Sequence, residues 1–283
     1  MTIIMKGKAV VDKIQEEVRL KVNILKKQDK YPKLGIIRLG NNPGDRSYEK
    51  SIVKNCENLG IQTYIIRRDP SINTYELVKI IEKLNKDSSI SGILIFMPLP
   101  SHIDEKIIRN TIDPNKDVDC IHPLNLAKVL EGDLNGFVPC TPKAAMEILI
   151  YYDMNLEGKS LVIINRSTVV GKPLAMMLLE KDATVTICHS KTKNLKAIIK
   201  NADIVVTALG NANYFDKDYF SSESILVDIG TSVDENKKLS GDIDYDDTYD
   251  MVKAITPVPG GVGRVTTSIL LKHVVDAYRK MDK

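Results

Sequence analysis

Leu161-Val162-Ile163-Ile164, then Asn165-Arg166-Ser167-Thr168-Val169-Val170-Gly171-Lys172-Pro173, then a helical pattern from Leu174 to Lys181, decide the fold class. A short apolar run bounded by turn residues reads as a strand buried on both faces, the kind found in parallel sheets. A polar turn that leads directly into a helix marks the start of a βα unit. Runs of the same kind follow at 184–188, 204–209 and 225–229, so the second half reads as a nucleotide-binding sheet. Upstream, expected strands at 34–39, 62–66 and 90–96 alternate with helical patterns at about 45–59 and 73–86. Cys140-Thr141-Pro142 opens a helix running to about Tyr152, with Thr141 expected as N-cap and Pro142 at the first helical position. A last helix is expected from about Thr267 to Lys280. The class is α/β with mainly parallel sheets.

At 283 residues, with 43% hydrophobic and 27% charged residues, the chain has the composition of a soluble globular protein with two modest domains. A net charge of +3 is too slight and too dispersed to favour nucleic acid or an anionic membrane. The N-terminus lacks a secretory apolar region and no segment reaches transmembrane length, so a cytoplasmic location is expected. Cys56, Cys120, Cys140 and Cys188 are far apart, which argues against a disulfide framework or a zinc site. The four histidines are not spaced as ligand pairs, and the acidic stretch 242–250 reads as a surface loop, so no metal is expected.

Two turns carry candidate chemistry. The 165–173 turn lacks the G-x-G-x-x-G pattern but sets Arg166 and Ser167 where a helix N-terminus meets an anion. The turn Cys188-His189-Ser190-Lys191-Thr192 lacks the acidic residue that binds ribose hydroxyls in NAD-selective sites, and its hydroxyl and cations suit a 2′-phosphate. NADP is therefore favoured over NAD; a helix cap and a solvated basic turn are the plainer reading of the same residues. In Thr256-Pro257-Val258-Pro259-Gly260-Gly261-Val262-Gly263, five of eight residues are Gly or Pro. Such a rigid, bare backbone suits a wall for a flat ligand, or an ordinary turn.

Several stretches together resemble the bacterial methylenetetrahydrofolate dehydrogenase/cyclohydrolase (FolD) family. They are Ser47-Tyr48, Pro98-Leu99-Pro100-Ser101-His102-Ile103, Lys116-Asp117-Val118-Asp119, His122-Pro123-Leu124-Asn125 and Phe137-Val138-Pro139-Cys140-Thr141-Pro142. Arg166-Ser167, Val170-Gly171-Lys172-Pro173, His189-Ser190, Gly241-Asp242-Ile243-Asp244 and the 256–263 loop follow in family order. The resemblance implies a folate-binding catalytic domain at 1–140 and a Rossmann-like NADP-binding domain at 141–266, with a cleft between them. It also implies that the terminal helix, 267–283, packs back on the first domain and that the protein is a homodimer. Tyr48 is implied to stack on the folate and Asp119 to bond its pterin, with Pro98, Leu99, Pro100, Pro259, Gly260 and Gly261 shaping the substrate site. NADP contacts are implied at Asn165, Arg166, Ser167, Gly171, Pro173, His189, Ser190 and Thr231.

The chain also departs from the family. Asn165 and Cys120 stand where the family usually has Gly, Thr231 where it has Ile, Ala127 where it has another Gly, and Arg264 where it has Pro. Most consequentially, the family's Lys four residues after the Tyr is Ile52, and the Gln that bonds this Lys is Phe96. Four residues along a helix is one face, so Lys50 and Lys54 are poor substitutes. Hydride transfer requires alignment, whereas hydrolysis of the methenyl product requires proton transfers. The expectation is a working dehydrogenase with reduced or lost cyclohydrolase activity. The fully bifunctional enzyme is the alternative, and a non-catalytic folate- or nucleotide-binding protein is a third reading.

Overall fold

A computed structural model describes residues 1–235 and 237–281. The chain divides into two compact units, one made of Lys13–Lys128, Asn135–Val138 and the chain from Thr267 onward. The other comprises Met1–Asp12, Val129–Leu134 and Pro139–Thr266. The first twelve residues group with this second unit because Ile3–Ile4 pairs in parallel with Ala254–Ile255. A sequence without a partner strand beside it gives no hint of that pairing.

In the Lys13–Lys128 unit, the three-stranded parallel sheet runs in the order Gln62–Arg68, Lys33–Leu39, Gly92–Ile95. Ile37, Ile66, Ile93 and Ile95 pack with Leu77, Ile81 and Leu84 of the helix Thr74–Lys86. Side chains alternate across a strand, so Arg38 and Phe96 lie on the opposite sheet face. The helix Pro43–Leu59 covers that face, burying Glu49, Ile52, Cys56 and Leu59 at helical spacing. Asn42 caps this helix and Pro43 follows at its start; Asn73 and Glu76 form a capping box on the next.

The other unit holds a six-stranded parallel sheet in the order Ile3–Ile4, Ala254–Ile255, Ile225–Asp228, Ile204–Thr207, Ser160–Ile164, Thr184–Cys188. From Ser160–Ile164 the chain goes first to one neighbour, Thr184–Cys188, and then across to the other, Ile204–Thr207. The strand order therefore reverses there, and loops leaving these strands diverge to form the crevice where doubly wound sheets bind ligands.

Two helix starts differ from the sequence reading. The helix Cys140–Tyr151 is preceded by Pro139 as N-cap, so Thr141 lies inside the first turn and makes no cap. First-turn amides have no intrahelical partner, so Pro142 is tolerated anywhere in that turn and does not mark its first position. The terminal helix begins at Val262, not near Thr267, because Gly263 and Arg264 already form its first turn.

A buried lysine orders the segment that carries Asp119. Lys116 Nζ donates to the carbonyls of Leu84 (3.0 Å), Asn85 (2.8 Å) and Asp87 (2.7 Å), where the helix Thr74–Lys86 ends. Asp117 accepts from the amides of Ile121 (2.9 Å) and His122 (2.8 Å) and from Asn125 Nδ2 (2.9 Å). His273 Nδ1 lies 2.8 Å from the Val118 carbonyl, and the pairs Lys21–Asp276 and Lys272–Glu17 tie the terminal helix to the same unit. Lys116→Met leaves the helix-end carbonyls without their charged donor. It should lower the unfolding free energy by about 3 kcal/mol, measured by urea denaturation; a loss below about 1 kcal/mol contradicts this assignment.

Candidate functional site

Asn165 closes the turn at the reversal point of the six-stranded sheet. Its Oδ1 accepts from the amides of Ser167 (2.8 Å) and Gly171 (3.1 Å), and its Nδ2 donates to the Ala208 carbonyl (2.6 Å). One carboxamide thus satisfies the first amide of the helix Gly171–Leu179 and ties the loop after Ile164 to the loop after Thr207. A side chain at position 171 would collide with the Asn165 backbone carbonyl, so only glycine permits this approach. Pro173 is buried in the first turn of that helix.

Ile164 pairs with Cys188, so the segments beginning at Asn165 and His189 leave neighbouring strands at the same end. Arg166 and Ser190 are both exposed, each two residues past this pair. Ser167 Oγ accepts from the Val170 amide at 3.0 Å, while Thr192 Oγ1 accepts from the His189 amide at 2.8 Å. These bonds shape the two turns while the Ser167 hydroxyl keeps its own proton to donate, and Arg166, Ser190 and Lys191 are exposed. A guanidinium, a hydroxyl and an ammonium without a carboxylate form a donor set that fits a phosphate monoester.

A pocket of about 540 Å³ in the same unit is lined by Asp228–Thr231, Leu239 and Pro257–Arg264. It contains the predicted Thr231, Pro259, Gly260 and Gly261. The Gly7 amide donates to the Gly260 carbonyl at 2.8 Å, and the Gly261 carbonyl fills the space a Gly7 side chain would need. Gly260 has φ 113°, a conformation that favours glycine. Arg264 is exposed on the pocket rim.

Behind this wall, Asp228 and Asp242 interlock with two glycines. Asp228 occupies the space a Gly241 side chain would need, and Asp242 does the same at Gly230. Asp228 accepts from Thr207 Oγ1 (2.9 Å) and the amides of Gly230 (2.9 Å) and Ile243 (2.8 Å). Asp242 receives the amides of Leu209 and Asn211. Burial pushes the Asp228 carboxyl up to about 6, with the charge of Asp242 adding to the effect.

In the Lys13–Lys128 unit, the Tyr48 ring lies 5.4 Å from the Phe96 ring, tilted by 43°. Tyr48 is 39% exposed, Phe96 is 8% exposed and Ile52 is fully buried. The predicted triplet Pro98-Leu99-Pro100 leaves the sheet just beyond Phe96, with Pro98 exposed and Leu99 packed on the isoleucine cluster. Ile93 forms a parallel bridge with Asp117, so Asp119 leaves the sheet beside that same segment. Cys120 sits at φ 59°, the left-handed region, which explains why glycine suits this position and shows that cysteine is strained there.

A neighbouring charge cluster escaped the sequence reading. Glu49 Oε2 accepts from Arg38 Nε at 2.7 Å, and its Oε1 accepts from Arg67 Nη2 at 2.8 Å. Burial raises the Glu49 carboxyl, but the two guanidinium groups outweigh it and hold it below the usual range. The available signal was an arginine inside an otherwise apolar strand, Leu34-Gly35-Ile36-Ile37-Arg38-Leu39. Among the described residues no cluster of His, Cys, Asp and Glu is placed to hold a metal, and no helix is long and apolar enough to cross a membrane.

Comparison with known proteins bears on both units. The model for the catalytic domain of tetrahydrofolate dehydrogenase/cyclohydrolase matches residues 5–119, and that for its NAD(P)-binding domain matches residues 139–282. Bifunctional protein FolD of Clostridium botulinum (strain Langeland) is 54% identical over 280 residues, covering 99% of each chain. Bifunctional protein FolD 1 of Desulfitobacterium hafniense is 50% identical over 279 residues, again covering 99% of each. The crystal structure of the bifunctional FolD methylenetetrahydrofolate dehydrogenase/cyclohydrolase from Campylobacter jejuni superposes with a TM-score of 0.96 at 39% identity, covering 99% of each chain. The Trypanosoma brucei enzyme, solved with NADP and an inhibitor, gives a TM-score of 0.94 at 30% identity, covering 100% of this chain and 99% of that one.

The raised Asp228 carboxyl has a signed consequence for stability. Its ordinary value is 3.8 and its folded value about 6. Between these the folded chain keeps a proton that the unfolded chain has released, so stability falls as pH rises through this window. Relative to Asp228→Asn, which cannot titrate, the unsubstituted protein should lose about 3 kcal/mol between about pH 4 and pH 7. Urea unfolding across that range checks this; a difference independent of pH contradicts it.

Proposed function

This chain belongs to the tetrahydrofolate dehydrogenase/cyclohydrolase family, and we propose that it oxidises 5,10-methylenetetrahydrofolate with NADP in one-carbon folate metabolism. The observation that carries the reading is the donor set at the reversal point: Arg166, Ser190 and Lys191 face outward with no carboxylate among them. That set suits the 2′-phosphate that distinguishes NADP from NAD, and the related T. brucei structure was solved with NADP bound. Bound NADP supplies the hydride acceptor.

The protein's own groups then have distinct tasks. Arg166 and Ser190 hold the 2′-phosphate, Asn165 fixes the turn that presents Arg166, and Thr231 with Gly260 and Gly261 shapes a flat wall. Tyr48 lies against the folate, Asp119 bonds its pterin, and Pro98, Leu99 and Pro100 line its site. Oxidation of the methylene carbon removes hydride and no proton, so these groups are required only to orient and to exclude water. By the same family likeness the protein is a cytoplasmic homodimer.

Hydrolysis of the methenyl product makes a different demand. The names of the relatives, bifunctional FolD proteins, favour both reactions on one chain. Ile52 and Phe96 favour a second reading, in which hydrolysis is slow. Both are buried and apolar where the family has a hydrogen-bonded Lys and Gln, and neither can move a proton.

Purified protein given methylenetetrahydrofolate and NADP should generate the methenyl chromophore, and NAD should serve less well. No turnover while both ligands bind would leave only a binding protein. Formyl product forming well above the spontaneous rate supports the bifunctional reading; accumulating methenyl product supports the second. In the latter case Ile52→Lys with Phe96→Gln should raise hydrolysis by about 10²-fold. Separately, Arg166→Ala should raise KM for NADP by about 10- to 100-fold while changing KM for NAD little. Equal effects on both cofactors would remove Arg166 from the phosphate site.

A further inference from the structure

Arg38 stands alone among apolar neighbours. Its side chain is 3% exposed and sits on the sheet face covered by the helix Pro43–Leu59. Besides Glu49, it donates to the Gly40 carbonyl and to Asn41 Oδ1. Taking a guanidinium and a carboxylate out of water costs free energy that their attraction offsets only in good geometry. Apolar residues of similar volume often leave a protein equally or more stable, so stability alone is a weak reason for the pair. Direction is a stronger one. A helix resting on apolar side chains can rotate slightly about its axis, whereas a planar guanidinium whose Nη1 is held by Gly40 and Asn41 directs its Nε toward the Glu49 carboxylate in few poses.

The register shows what that direction controls. Arg38 pairs with Arg67, and Ile37 pairs with Ile95, so Arg67, Arg38 and Phe96 form a row across the three strands. Two consecutive helix residues meet this row: Glu49 on the arginines and Tyr48 on Phe96. One turn further on, Ile52 faces the sheet with no polar group to orient the helix. In the family frame a Lys–Gln hydrogen bond would join positions 52 and 96, and this chain has lost that link. It has instead a buried ionic link beside Tyr48.

We propose that the buried Arg38–Glu49 pair is the positioning device for Tyr48, fixing the rotation of its helix turn so that the phenol ring is held over Phe96 and presented to the folate. Neither residue is catalytic; both act through Tyr48. The role at the folate rests on the function proposed above, but the pose of Tyr48 is independent of it.

The test is Arg38→Met combined with Glu49→Leu, which removes both charges together and leaves Arg67 at the surface. The urea midpoint should stay the same or rise, while kcat/KM for methylenetetrahydrofolate falls about 10- to 100-fold. KM for NADP should stay within twofold. Arg38→Lys keeps the charge without the planar fork and should lose at least fivefold in kcat/KM while remaining folded; it decides the matter if the double variant does not fold. NMR of ring-labelled tyrosine, with Tyr48 assigned by Tyr48→Phe, should show a Phe96 ring-current shift that the double variant or Arg38→Lys loses. A folded variant with kcat/KM within twofold and an unchanged Tyr48 signal overturns the proposal. Unsubstituted protein without dehydrogenase turnover overturns the function proposed above instead, and the Tyr48 signal still decides the positioning role.

Discussion

A buried parallel strand has no room for chemistry along its length. Both faces are covered and its backbone groups are paired, so polar function is displaced to the segments that leave its C-terminal end. Asn165, Arg166 and Ser190 follow Ser160–Ile164 and Thr184–Cys188, and Thr231 follows Ile225–Asp228. The Gly/Pro wall follows Ala254–Ile255, Pro98 to Pro100 follow Gly92–Ile95, and Tyr48 lies on the helix after Lys33–Leu39. The candidate sites are thus consequences of strand direction. Arg38 is a buried charge within a strand, and it is accommodated because Glu49 and nearby oxygens satisfy it.

Rules for buried polar groups also explain how the chain accommodates several of its buried and turn residues. Ile52 and Phe96 are both buried and apolar, so neither strands a polar group in the interior. Asn165 brings a carboxamide into a half-buried turn, and its donor and acceptor atoms are both used. Cys120 is accommodated differently. It adopts a left-handed backbone that favours glycine and bears the strain, because the neighbouring Asp117 and Lys116 contacts fix that loop.

Much of the fold was legible in the pattern of residues. Short β-branched runs marked the central strands, and the helical patterns at about 45–59 and 73–86 correspond to Pro43–Leu59 and Thr74–Lys86, whose starts Asn42 and the Asn73–Glu76 box cap. Helix starts without a side-chain cap were less legible: Pro139 precedes one and Gly261 the other, and neither offers an oxygen to read. The candidate site was legible where its residues are consecutive, as in Arg166-Ser167 and Pro98-Leu99-Pro100. It was illegible where it depends on side chains from different elements.

Sequence by itself determined the α/β class and the central strands of both parallel sheets. These follow from local rules: side-chain period and the turn residues that bound each run. Only the tertiary structure decided that Arg38 meets Glu49 beside Tyr48, that Asn165 reaches Ala208, and that Ile3–Ile4 completes the sheet ending at Ala254–Ile255. Such pairings depend on register and on which face of an element is buried. Those are fixed by packing many distant residues at once, so no local stretch of the chain encodes them.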